Sequence, residues 1–138
     1  MRGLIAALGA ACALLASSVS SPAARADDSL VPPFVDHTEW VHWGDLSSLR
    51  VFPTPAGRAA AGTLRTTEQA DEAWTEVVAD TTDADQPGMR AQFLCHWQLA
   101  EFSQPGKVSW NLEPWRPTVD DSHMLASGCN PGGTEEPF

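Results

Sequence analysis

The sequence predicts an α+β domain: a small antiparallel sheet made of two hairpins, one main amphipathic helix packed on it, one or two short helices, and one disulfide. Three observations carry this reading. Between Phe34 and Trp43 no Gly or Pro interrupts a run rich in aromatic and β-branched residues, the composition of a strand. Ala70, Ala73, Trp74, Val77 and Val78 recur at helical spacing and make one apolar stripe. Two cysteines, Cys95 and Cys129, remain once an N-terminal export leader is set aside.

Residues 1–26 carry the marks of that leader. Arg2 supplies the positive start, Leu4 through Ala16 is an apolar stretch too short to span a bilayer, and Ala24-Arg25-Ala26 is a small-x-small cleavage site before Asp27. Ser17 to Ser21 and Pro22 break the apolar run, which argues against an uncleaved anchor. A lipid anchor on Cys12 wants a large apolar residue three positions earlier, where Gly9 stands. Cleavage after Ala26 and release outside the cell are therefore expected. Residues 27–33 read as a linker, 34–130 as a single globular domain, and 131–138, with Gly132, Gly133 and Pro137, as a disordered tail.

Within the domain, Val35, His37, Glu39, Val41 and Trp43 share one strand face, and Phe34, Asp36, Thr38, Trp40 and His42 share the other. Gly44-Asp45 starts a turn, and Leu49 to Phe52 reads as a second strand that Pro53 and Pro55 end, giving the first hairpin. Ala56 to Gly62 reads as a small-residue loop. Thr66 and Gln69 have capping-box spacing, and Glu68, Asp71 and Glu72 suit the positive end of a helix that runs to about Thr81 with Trp74 at its centre. Asp83 to Gly88 is an acidic, turn-rich loop. Pro87 opens a short helix through Met89, Phe93 and Leu94. Cys95, Trp97 and Leu99 then alternate with His96, Gln98 and Ala100, the pattern of a strand. Pro105-Gly106 turns the chain into a partner strand over Lys107 to Leu112, the second hairpin. Pro114 and Pro117 force an extended path, and Thr118 caps a last short helix with Met124 and Leu125, closed by Gly128.

Eighteen acidic residues face eight basic ones, a formal net charge of −10, and the leader takes Arg2 and Arg25 with it. So acidic a surface repels phosphate backbones and anionic bilayers, which excludes charge-driven nucleic-acid binding and stable membrane insertion; a monomer is expected. Two cysteines outside the cytoplasm are expected to pair, and loop-closure arithmetic puts such a bond at about 4 kcal/mol. The competing reading is a nucleophilic Cys95 beside His96, but neighbours on a strand face opposite ways.

Trp110-Asn111-Leu112-Glu113-Pro114-Trp115-Arg116-Pro117 is the most distinctive stretch. In one reading Arg116 stacks on an indole while Glu113 pairs with Arg116 or Arg90 and locks a bent strand. In the other, Trp110 or Trp115 is displayed with Arg116 to stack on a sugar ring or a partner's side chain. His96, Glu113 and His123, with Arg116, form an acid–base set only if folding gathers them. His37 and Glu39 share a face that His42 does not, no zinc spacing occurs, and Asp120-Asp121 suits a helix cap, so neither metal nor cofactor is expected. There is no Gly-x-Ser-x-Gly elbow, phosphate-cradling loop or nucleotide fingerprint.

Four blocks, LRVFPTPAGR, PGMRAQFLCHW, KVSWNLEPWRP and CNPGG, together resemble a secreted, mainly actinobacterial family known as domain of unknown function 2599. The likeness spans about Trp40 to Gly133. It implies export and a Cys95–Cys129 bond, and it brings no activity or catalytic residue with it. The expectation is a non-catalytic binding module for an envelope component or another protein. The alternative is a small hydrolase or toxin-like enzyme using a His/Glu pair.

Overall fold

The computed structural model describes residues 30–133. The leader expected over 1–26, the linker up to residue 29 and the tail from residue 134 lie outside the described residues.

β1 (Val35–Trp43) and β2 (Leu46–Pro53) form the expected first hairpin, with Trp43 facing Leu46 across the Gly44-Asp45 turn. A register shift between Val35 and His37 leaves Asp36 as an extra residue. β3 (Trp110–Leu112) adds to the other side of β2, so the sheet order is β1-β2-β3, all antiparallel. In this register Leu49 lies opposite Leu112 and Val51 opposite Trp110, and all four are fully buried. That face is covered by α1 (Pro55–Ala61), α2 (Thr67–Asp80) and α3 (Met89–Ser103). α4 (Asp121–Ala126) packs on α3.

Aromatic rings fill the space between the layers. Phe93 lies 5.5 Å from Trp74, 6.2 Å from Trp97 and 6.0 Å from Trp110, centroid to centroid. Trp97 meets Trp110 at 6.0 Å and Phe34 at 5.8 Å, both edge-on, the arrangement that ring quadrupoles favour. The Trp74 stripe predicted for α2 faces this cluster.

β1 is an edge strand, and α2 blocks the first half of that edge with carboxylates. Glu76 accepts from the backbone N–H of Phe34 at 2.8 Å and of Val35 at 2.7 Å. One turn later Asp80 accepts from Thr38 N–H at 2.8 Å, and Asp83 accepts from the Trp40 indole at 3.0 Å. Exposed strand edges invite pairing with other chains, and acidic side chains spaced at i and i+4 close this one.

The α+β class, the first hairpin, the Trp74 helix and the disulfide stand as expected; four elements differ. The Ala56 to Gly62 loop is helix α1. Thr54 is its N-cap, accepting from Gly57 N–H at 2.9 Å, and Pro55 follows at the first helical position, where its missing N–H costs nothing. Gly57 is obligatory there, because a Cβ would sit 2.1 Å from the Phe34 carbonyl oxygen.

The capping box at Thr66 does not form. The Thr66 hydroxyl faces the carbonyl oxygens of Ala60 at 3.0 Å and Thr63 at 3.1 Å, and accepts from the Trp97 indole at 2.9 Å. It ties three helices together instead of capping one.

The largest correction concerns the Cys95–Ala100 strand, which is the middle of α3. Met89, Gln92, Phe93, His96, Trp97 and Ala100 are buried at helical spacing, and Cys95 is buried on the α4 side. With burial on two sides, the residue pattern mimics alternation. The second hairpin is therefore absent, and only Trp110–Leu112 of the predicted partner strand is strand, paired with β2. Finally, Asp120, not Thr118, caps α4, accepting from His123 N–H at 2.8 Å, and the chain from Pro131 to Gly133 is tied down instead of trailing.

Candidate functional site

The Trp110–Pro117 stretch splits into an inside and an outside. Trp110 belongs to β3 and is fully buried in the aromatic cluster, where its indole N–H has no hydrogen-bond acceptor among the described residues. It is not displayed, so of the two tryptophans expected as alternatives Trp115 is the one at the surface. Trp115 is 38 % exposed. Its indole N–H donates to the Ser47 carbonyl at 3.0 Å, and the Arg116 guanidinium carbon lies 4.5 Å from its ring centre. Trp115 is thus fixed against the hairpin end, where Trp43 is 55 % and Leu46 41 % exposed.

Beneath it lies a polar knot in which Glu113 and Arg116 are both fully shielded from solvent. Arg116 Nε donates to Glu113 Oε2 at 2.6 Å, and Ser48 of β2 donates to Oε1 at 2.9 Å. Gln92 of α3 clamps the Glu113 backbone: its amide donates to the carbonyl and its oxygen accepts from the N–H, both at 2.9 Å. Arg116 Nη1 reaches the carbonyls of Pro131 at 3.3 Å and Gly133 at 3.2 Å. A buried charge is costly unless paired and hydrogen-bonded, and here both members are. Gly132, at φ 86°, completes the knot, since a Cβ would lie 2.7 Å from Pro117 Cδ. The Glu113–Arg116 pairing was one of the sequence expectations; Arg90 pairs elsewhere, with Asp71.

His96 is buried on α3, its Nε2 3.0 Å from the Asn111 carbonyl. Because a carbonyl only accepts, Nε2 carries the proton. His96 also lines a cleft of about 400 Å³ with Lys107, Ser103 and Asn130. His123 is exposed on α4, in the last turn of that helix. Cys95 is bonded to Cys129, with Cα atoms 5.6 Å apart, so it has no free thiol.

At the surface, His37 Nδ1 lies 2.6 Å from Asp36, and the His37 ring stacks on Phe52 at 4.2 Å. Asp120 caps α4, and hydrogen bonds from the Ser122 hydroxyl and the His123 N–H hold its carboxyl below the usual aspartate range. Among the described residues no group of three or more His, Cys, Asp or Glu is placed to hold a metal ion, and no helix is long and apolar enough to cross a membrane. Of the two residues that complete the Glu113 site, Ser48 carried no local signal, and Gln92 carried one hint, its i, i+4 spacing to His96 among apolar residues.

Residues 35–132 match the family model described as "Protein of unknown function (DUF2599)". The uncharacterized protein Rv0477 of Mycobacterium tuberculosis is 64% identical over 107 residues, covering 78% of this chain and 72% of that protein. The uncharacterized protein ML2452 of Mycobacterium leprae is 50% identical over 105 residues, covering 76% of this chain and 85% of its own length. No solved structure matches.

Proposed function

The chain belongs to the DUF2599 family of proteins of unknown function, and from that premise we propose that it is an exported, non-catalytic binding module whose contact surface is the aromatic end of the hairpin. The carrying observation is Trp115, held rigid by Ser47 and Arg116 yet 38 % exposed. An indole fixed in advance loses little rotamer freedom on binding, which is why rigid aromatics concentrate binding energy. Trp43 and Leu46 extend the same apolar surface. Its partner is a flat apolar face in the cell envelope, a sugar ring or a side chain.

The disulfide and the lack of a membrane-crossing helix among the described residues are compatible with work outside the cytoplasm. A leader cleaved after Ala26 is part of this proposal. The hydrolase reading draws no support from Glu113 and Arg116, whose side chains are enclosed and whose polar atoms serve the knot.

Co-sedimentation with insoluble envelope polysaccharide, and pull-down from envelope protein extracts, test the proposal. Trp115→Ala is expected to weaken retention by about thirtyfold, a hot-spot loss of about 2 kcal/mol, with melting temperature little changed. Equal retention of the wild type and a Trp43→Ala/Trp115→Ala variant, or no retention of the wild type by either fraction, defeats it.

A further inference from the structure

The helical side carries a second surface that the hairpin end does not account for. Between the end of α1, the start of α2 and one face of α3 lies a groove of about 380 Å³, within the range of small-ligand sites. Leu64, Leu94, Trp97 and Phe102 form its walls and floor, and Arg65 stands at its rim. Leu64 is 77 % and Phe102 55 % exposed. No carboxylate lines the groove, in a chain where 18 acidic residues outnumber 8 basic ones.

Among the described residues Arg65 and Arg50 are the arginines without an ion pair, and Arg65 is the one that lines a groove. Arg58 pairs with Glu101, Arg90 with Asp71 and Arg116 with Glu113, whereas Arg50 sits in β2 with its Nε buried and without an acceptor among the described residues. Among the described residues the Arg65 guanidinium has no ion-pair partner. Its backbone also sits at φ 64°, a left-handed conformation that long side chains adopt only when the surroundings impose it and that gathers at ligand sites.

We propose that this groove binds a single acyl chain ending in a carboxylate. The chain covers Leu64, Leu94 and Phe102, and the carboxylate takes the planar guanidinium in a two-point contact. A small anion leaves the apolar walls wet, and an uncharged alkane leaves the arginine beside it without a counter-charge. A peptide main chain needs several polar partners, and besides Arg65 the lining leaves only the Thr67 and Gln98 side chains to supply them. The Thr63 hydroxyl is committed to the Ala59 carbonyl and the Thr66 hydroxyl to Ala60 and Trp97. This site is separate from the Trp115 surface and stands or falls independently of it.

Titration calorimetry with laurate, dodecanol and acetate, together with amide-shift mapping, tests it on the wild type, Arg65→Gln and Leu64→Ser/Phe102→Ser. These positions are exposed, and unchanged melting curves establish that each variant folds. Expected are one laurate per chain below the micelle concentration, shifts confined to residues 61–70 and 94–102, and no acetate binding. Arg65→Gln lowers laurate affinity about tenfold, the size of one charge-assisted contact, and leaves dodecanol affinity unchanged; the double variant loses both. Equal laurate affinity in Arg65→Gln, several laurates per chain, shifts elsewhere, or tighter binding of an apolar tripeptide carboxylate overturns the proposal.

Discussion

Apolar burial holds the sheet and α1–α3 together, whereas the chain from Glu113 to Gly133 is fastened by one ion pair, one disulfide and a few backbone hydrogen bonds. The first region buries Phe34, Trp74, Phe93, Trp97 and Trp110 in one continuous cluster. The second contributes Met124, Cys129 and the partly buried Val119 to a satellite cluster with Cys95, edged by Ala91 and Leu99 of α3. A domain of this size has too little interior to give every segment an apolar anchor. This C-terminal segment is therefore attached by stronger single links, each anchored in the core: Arg116 through Glu113 to Ser48 and Gln92, Cys129 through Cys95. The difference teaches that the two regions should fail differently, one globally and one by detachment.

Trp110→Ala gives the largest effect. It empties the centre of the aromatic cluster at a cost of about 5 kcal/mol, and urea melts should show sheet and helices lost in one transition. Arg116→Ala follows at about 4 kcal/mol, because it leaves the Glu113 carboxylate buried without its cation. Glu113→Leu/Arg116→Met should recover most of that loss; if the double variant is the worse one, the knot acts by something other than its desolvated charges.

Removing the disulfide with Cys95→Ala/Cys129→Ala is expected to cost about 3–4 kcal/mol. Hydrogen exchange sharpens the comparison here: α4 amides should open while those of β1 and β2 stay protected. Uniform loss of protection would make the two regions one cooperative unit.

The smallest effect is a pH dependence confined to α4. The Asp120 carboxyl titrates below its ordinary 3.8 when folded, since its ionised form accepts from Ser122 and His123. Its cap is complete above about pH 3.8 and is lost as pH falls through the depressed value. NMR of the α4 amides should show acid fraying in the wild type and a flatter profile in Asp120→Asn.

β1 and α2 were legible because each rests on neighbours in the chain, a strand run without Gly or Pro and an apolar stripe at helical spacing; the cysteine pair was legible because setting the expected leader aside leaves two cysteines. α1 was equally legible in principle, since Thr54-Pro55 before an alanine run is a cap followed by a proline at the first helical position. α3 was not, because it is covered by the core on one side and by α4 on the other, and burial on two sides erases the single stripe by which a helix is recognised. At the candidate site, Glu113 and Arg116 lie three residues apart and suggested each other. That Trp110 goes in while Trp115 stays at the surface depends on β3 pairing with β2.

Sequence alone determined the local matters: the β1 strand run, the Gly44-Asp45 turn and the apolar stripe of α2. Hydrogen bonds between near neighbours and the intrinsic geometry of side chains decide these. Only the tertiary structure decided that Trp110 is buried while Trp115 stays at the surface, that carboxylates from α2 cover the β1 edge, and that Ser48, Gln92 and Pro131 converge on one ion pair. Those outcomes turn on contacts between residues distant in sequence, and burial is a property of the contact, not of the residue.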